Sequence, residues 1–221
     1  MSNVLVRATN WLGDAVMSLP ALRAIRQIFP HAQIAVVARP RVADLYTRET
    51  CIDRVIPYTQ TGLRAKLEFA ARLRDAGFDG AILLQNAFDA ALIAWLAGIP
   101  ERIGYNRDGR GVLLTRAIRV PDPGDIPRHE RFYYLELLHR AGILDSLPEN
   151  DCIRLDAASQ SRAAGLARFH ELGMGGTIIG ISPGAAGRWR ISANHSKISN
   201  GSLSPTTSRR TNGPGVGSCS R

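Results

Sequence analysis

The sequence predicts an α/β protein with a parallel sheet wrapped by helices, on three observations. Short apolar runs alternate with amphipathic segments of helical spacing along residues 1–186. The connections between them are short, as βαβ units require. Hydrophobic residues make up 45% of 221 residues, enough for a real core.

The elements follow in order. Residues 4–8 form an apolar run suited to a buried parallel strand. Residues 19–29 carry Leu19, Leu22, Ile25, Ile28 and Phe29 at helical spacing, and Pro30 ends that helix. Ser18 before Leu19-Pro20 suggests an N-cap with proline at the first helical position. Strands are expected at 34–38 and 54–57. A helix at 62–76 has Leu63, Leu67, Phe69, Ala70 and Leu73 between charged residues. A fourth strand covers 80–84, and an apolar helix at 87–96, with Trp95 on its core face, closes at Ala97-Gly98. A short strand at 102–105 and a helix at 129–141 complete a first domain over 1–145. A polar linker containing Pro148 leads to a helix at 157–172 and an apolar strand at 177–182. Pro183-Gly184-Ala185-Ala186 follows, the strand-then-glycine start of a nucleotide-binding half-domain. Residues 146–186 thus read as linker and the start of a second Rossmann-like domain.

The composition then changes. Residues 187–221 hold eight serines, few large apolar residues and no period-two or helical pattern. They read as a basic, Ser-rich, disordered tail, either out of frame with what precedes it from near Ala186 or a genuine polar tail. Six of the 28 basic residues and none of the 19 acidic ones lie there, which leaves 22 against 19, a net of +3, in place of +9. The basic balance therefore argues little for nucleic acid. The cysteines, Cys51, Cys152 and Cys219, lie far apart without CxxC or Cys/His metal spacing. A reducing compartment is expected, with Cys51 and Cys152 as ordinary thiols. No apolar run approaches the roughly 18 residues of a membrane span. The start, Val4-Leu5-Val6, lacks a signal-peptide layout, so a cytoplasmic protein is expected.

The first chemical candidate is the stretch Asn10-Trp11-Leu12-Gly13-Asp14, in the loop after the first strand, where open α/β sheets bind ligands. Gly13 permits a tight turn and close ligand approach. Asp14 sits near a helix N-terminus, where it serves either as a cap or as a reactive carboxylate. Trp11 beside it packs on a sugar or on the neighbouring loop. Asn86 and Phe88 follow the fourth strand and line a pocket or serve structure. Arg102, Arg107 and Arg110, with Tyr105, form a basic loop for phosphate or carboxylate groups, or a solvated surface. Arg128, His129 and Arg131 repeat that pattern before a helix. Arg23 and Arg26 read as a solvated helix face.

Residues 9–22 resemble the N-terminal signature of the ADP-heptose:lipopolysaccharide heptosyltransferases of glycosyltransferase family 9, nearest the heptosyltransferase II type. Three further stretches agree in order: Leu84-Gln85-Asn86-Ala87-Phe88, Ala97-Gly98-Ile99-Pro100-Glu101-Arg102-Ile103-Gly104-Tyr105, and Ile181-Ser182-Pro183-Gly184-Ala185-Ala186. The resemblance implies a GT-B arrangement of two Rossmann-like domains, the first taking a lipid-linked core oligosaccharide and the second an ADP-sugar. It implies inverting transfer of heptose to the lipopolysaccharide inner core, without metal or cofactor. Asp14 maps onto the general base, which must reach the acceptor hydroxyl. Trp11, Gly13, Asn86, Phe88 and Arg107 fall to the substrate. Ser182, Gly184, Ala185 and Arg188 fall to the donor diphosphate, whose departing charge needs positive partners. Peripheral contact with the cytoplasmic face of the inner membrane suits a lipid-linked acceptor and basic loops. After Ala186 the chain departs from the family, which continues with an aromatic-glycine pair and Lys-Arg-Trp; here Gly187-Arg188-Trp189 follows. An inactive acceptor-binding fragment is the alternative. A Rossmann dehydrogenase is disfavoured, because no GxGxxG follows the first strand.

Overall fold

A computed structural model of the chain describes residues 1–148 and 152–176. The chain divides into two compact units, Met1–Ala164 and Gly165–Arg221. The first carries the sheet. Its elements are β1 (Asn3–Arg7), α1 (Leu12–Ile28), β2 (Gln33–Ala38), α2 (Pro40–Tyr46), β3 (Arg54–Pro57), α3 (Leu63–Asp75), β4 (Gly80–Leu83), α4 (Phe88–Leu96), β5 (Glu101–Tyr105), a 3₁₀ turn (Arg110–Leu113), β6 (Arg116–Ile118) and α5 (Arg131–Arg140). Helix α6 spans Ala158–Glu171.

The six strands are all parallel, in the order β3-β2-β1-β4-β5-β6. This is the doubly wound order, and its direction reverses between β1 and β4. The expected α/β, Rossmann-like fold is what the unit Met1–Ala164 has. Period-two alternation splits the core into two layers. Val4, Val6, Ile34, Val36 and Ile82 face α1 and α5, meeting Leu19, Leu22, Ile25, Leu135 and Leu138. Leu5, Ala35, Val37, Ala81 and Leu83 face the other way, onto Phe69 and Leu73 of α3 and Ile93 of α4. Each fully buried Leu or Ile contributes about 1.5–3 kcal/mol relative to exposure.

Several expectations change. Helix α1 begins at Leu12, seven residues before the expected start at 19, and Pro20 lies inside it. Ser18 is therefore no cap: its hydroxyl donates to Ala15 O at 2.8 Å and lies 3.3 Å from the buried Tyr46 hydroxyl. Proline costs the Val16 carbonyl its helical partner, and the buried face of Leu19, Leu22 and Ile25 outweighs that. Helix α2, the 3₁₀ turn and β6 were not expected; each is short, and Pro40 at the first position of α2 was its only signal. Trp95 is half exposed rather than core. Arg23 and Arg26 are not a solvated face. Arg23 pairs with the buried Glu49 at 2.6 Å and with Asp156 at 3.1 Å, and Arg26 with Asp53 at 2.5 Å. Cys51 is a free, buried thiol, as expected, and burial raises its pKa to about 11. The strand expected at 177–182 and the tail at 187–221 lie outside the described residues.

Candidate functional site

The switch point between β1 and β4 fixes where a cleft can open. A cleft of about 580 Å³ lies there, floored by the residues that follow β1 (Thr9, Asn10, Trp11, Asp14) and β4 (Leu84–Ala87) and walled by Arg107, Asp108, Glu130, Tyr133 and Tyr134. That volume suits a small ligand or part of an oligosaccharide.

Asp14 stands half-buried in the first turn of α1. It is not the cap, since Trp11 holds that position without a side-chain bond. The helix dipole and the unpaired N–H groups of the first turn favour a carboxylate there. Trp11 is 61% exposed, and the Arg41 guanidinium lies 4.6 Å from its ring centre. Arg41 Nε also donates to Asn10 O at 2.9 Å, which fixes that stack. Gly13 makes no tight turn. It lies inside α1 with negative φ, and a Cβ there would meet nothing within 4 Å.

A buried cation organises the opposite wall. Arg110 is fully buried, and burial lowers its pKa to about 10. Its Nε donates to Tyr105 O at 2.8 Å, its Nη1 to Gln85 O, and its Nη2 to Asn86 Oδ1 at 2.9 Å. Gly104 leaves room for it: a Cβ there would lie 3.3 Å from Nη2 and 3.3 Å from Leu83 Cβ. Asn86 Nδ2 donates to the Tyr133 hydroxyl at 2.6 Å. The Asp108-Gly109 pair, both left-handed (φ 54° and 72°), turns the chain so that Arg107 and Asp108 reach the cleft. Buried Asn10 Oδ1 and Gln85 Oε1 have no hydrogen-bond partner, and both belong to residues of the cleft floor. Such acceptors are costly unless something donates to them.

Of the expected substrate residues, Trp11, Asn86 and Arg107 join Asp14 in this cleft. Phe88 does not; it opens α4, 45% exposed, outside the lining. The basic loop shrinks to Arg107. Arg102 instead donates to Leu113 O at 2.7 Å and Ile99 O at 2.5 Å, Arg110 is buried, and Tyr105 is buried with its hydroxyl on Tyr133 O. Arg128 and His129 line an adjoining cleft of about 740 Å³ that shares Glu130 and Tyr133 with the first. Sequence reasoning missed Tyr133 and Tyr134, because nothing in a helical pattern tells a cleft-facing tyrosine from a core one. Ser182, Gly184, Ala185 and Arg188 lie outside the described residues.

A second polar cluster sits at the same edge of the sheet. Arg7 and Arg39 lie 4.6 and 4.8 Å from the Tyr58 ring centre. The Tyr58 hydroxyl donates to Asp89 at 2.6 Å, and Lys66 pairs with the same carboxylate at 2.5 Å. Burial lowers the Arg7 pKa to about 10.

Residues 66–191 match the profile of glycosyltransferase family 9 (heptosyltransferase). Lipopolysaccharide heptosyltransferase 2 of Escherichia coli (strain K12) is 30% identical over 200 residues, covering 84% of this chain and 56% of its own length. The structure of the E. coli ADP-heptose lipopolysaccharide heptosyltransferase II superposes with a TM-score of 0.65 at 27% identity, over 76% of this chain and 50% of that one. A glycosyltransferase family 9 structure from Veillonella parvula shares the fold, with a TM-score of 0.67 at 21% identity over 80% of this chain and 51% of that one. The chain spans about half the length of the relatives it matches.

Proposed function

Because the chain belongs to glycosyltransferase family 9, we propose that it acts in the transfer of heptose from ADP-heptose to the inner core of lipopolysaccharide, with Asp14 as the general base. The observation that carries this reading is Asp14 in the first turn of α1, in one cleft with Trp11, Asn86 and Arg107. An acceptor hydroxyl in that cleft gives its proton to the Asp14 carboxylate while its oxygen forms the new bond to the anomeric carbon. The bond from that carbon to ADP breaks on the opposite face, so the configuration inverts and ADP leaves with the negative charge. No metal enters this scheme. The donor diphosphate is assigned, by the resemblance, to Ser182, Gly184, Ala185 and Arg188. Arg107, 57% exposed in its side chain, suits the anionic groups of a lipid-linked acceptor. Contact with the cytoplasmic face of the inner membrane is peripheral in this reading. Among the described residues, no helix is long and apolar enough to cross a membrane.

The test is heptose transfer to a core acceptor by the wild type and by Asp14→Asn. The variant keeps the shape of the first turn and loses the base, so kcat should fall roughly 10²–10⁴-fold while the melting temperature falls by no more than about 4 °C, the helix-dipole contribution of one charge. Full activity in Asp14→Asn sinks the assignment. The departure from the family pattern after Ala186 favours a second reading, in which the chain binds acceptor without transferring sugar. Saturable binding of ADP-heptose separates the two: the transferase needs it, and the acceptor-only reading excludes it.

A further inference from the structure

Resting on that acceptor reading, we propose that Tyr133 is a specificity-determining residue. Its hydroxyl is held by Asn86 and Arg110 as an obligate hydrogen-bond donor to an acceptor sugar oxygen in the cleft. The inference starts from Arg110. All three of its terminal bonds go to oxygens, and a guanidinium only donates. The Asn86 atom 2.9 Å from Nη2 must therefore be the carbonyl Oδ1, since the flipped amide would set two donors against each other. With Oδ1 committed, Nδ2 faces Tyr133, and an amide nitrogen also only donates. The 2.6 Å contact is then received by the phenol oxygen, and the phenol proton must point elsewhere. Among the described residues, no acceptor takes that proton. The side chain is half-buried and lines both adjoining clefts.

The ring itself is locked. It packs 4.5 Å from the Tyr105 ring and edge-on to Tyr134 at 5.7 Å between centres. Tyr105 also donates to the Tyr133 carbonyl at 2.7 Å. A fixed donor of this kind suits a ligand rich in lone pairs, and sugar hydroxyl and ring oxygens supply them. Asn86 and Arg110 act here as positioning residues that set the direction of the bond. Tyr133 makes the contact.

The discriminating variant is Asn86→Asp. An aspartate keeps the Arg110 partner and strengthens it, but has no hydrogen to give the phenol. The phenol then donates to the new carboxylate and turns its proton out of the cleft. Tyr133→Phe removes the hydroxyl and keeps the ring stack. The probe is a deacylated inner-core oligosaccharide titrated by calorimetry, beside thermal melts of each variant. Each single variant should weaken binding about two- to tenfold, the range of one ordinary hydrogen bond. The double variant should be no weaker than Tyr133→Phe alone, because both changes delete the same bond. Melting temperatures should hold for Tyr133→Phe and stay or rise for Asn86→Asp. Wild-type affinity in Tyr133→Phe, or additive losses in the double variant, overturns the inference and leaves the acceptor reading standing. A wild type that fails to bind the oligosaccharide overturns the acceptor reading itself, and the role of Tyr133 with it.

Discussion

Thr50 holds Asp156 by two hydrogen bonds to one carboxylate oxygen, 2.8 Å from its backbone amide and 2.6 Å from its hydroxyl. The other oxygen meets Arg23 at 3.1 Å, and the Asp156 amide donates to the buried Glu49 at 3.2 Å. Residues more than a hundred positions apart are thus tied by one side chain. Asp156→Ala removes the carboxylate bonds without filling space. With the side chain 27% exposed, the loss should be about 1 kcal/mol, well below that of a buried pair. For a domain of this size, that is a fall of roughly 2–4 °C in melting temperature. Hydrogen exchange should locate the loosening at residues 152–157. An unchanged melt with unchanged exchange would show that the tie carries no stability.

Acid should weaken the fold in a defined window. Burial acts to raise the pKa values of Asp79 and Asp89, but hydrogen bonds outweigh it, from the Ser2 amide and hydroxyl at Asp79 and from Lys66 and Tyr58 at Asp89. The Thr50 hydroxyl and amide lower that of Asp156. All three folded-state values lie below the unfolded reference of about 3.9. Their contribution is therefore complete above pH ~4 and is lost as pH falls through the lower folded values. Melting temperature should be flat from about pH 7 to 5 and decline below about 4. Asp79→Asn and Asp89→Asn should each start lower and decline less. A melt that rises on acidification would contradict the sign.

Period-two and helical patterns made the parallel sheet legible because those patterns are the core, as Leu5 and Val6 show by facing opposite layers. The candidate site was half legible. Asp14, Trp11 and Asn86 fall where strand ends meet the switch point, and their positions follow from topology. The arginines were not legible. Arg23, Arg102 and Arg110 look alike in sequence and take their roles from acceptors that no local pattern marks: Glu49, the Ile99 and Leu113 carbonyls, and Gln85 with Asn86. Serine and proline at 18–20 imitate a helix start, so local signals alone place the beginning of α1 seven residues late. Burial of Ser18 and Leu19 decides otherwise, and burial is not a local property.

Arg107 should act by charge. Its side chain is 57% exposed and its pairing with Asp108 is long, at 3.7 Å, so the guanidinium is free to meet an anionic ligand. Arg107→Ala should weaken binding of a phosphate- or carboxylate-bearing core oligosaccharide by about tenfold at low salt, and by less as salt shortens the reach of the field. The melting temperature should stay within about 1 °C, because exposed pairs contribute little. An affinity loss that ignores salt would mean that shape, not charge, is at stake.

Gly104 links the wall of the cleft to the sheet. An added Cβ would press at 3.3 Å on both Leu83 Cβ and Arg110 Nη2. Leu83 belongs to a central strand and cannot yield, so Arg110 must. Arg110 is held by three oxygens in a site without exposure, and moving it breaks at least one buried bond. Gly104→Ala should therefore cost about 1–3 kcal/mol, although alanine is otherwise a mild change in a strand. The backbone at Gly104 has negative φ, so conformational strain adds nothing and the whole effect is steric. Arg110→Lys should cost as much or more, since one ammonium cannot span the carbonyls of Tyr105 and Gln85 and the amide of Asn86. The check is a pair of denaturant titrations. Gly104→Ala placed on Arg110→Lys should cost less than on the wild type, because the shorter cation no longer fills the space beside the new methyl group. Equal costs in both backgrounds would move the clash to Leu83 and remove Arg110 from the explanation.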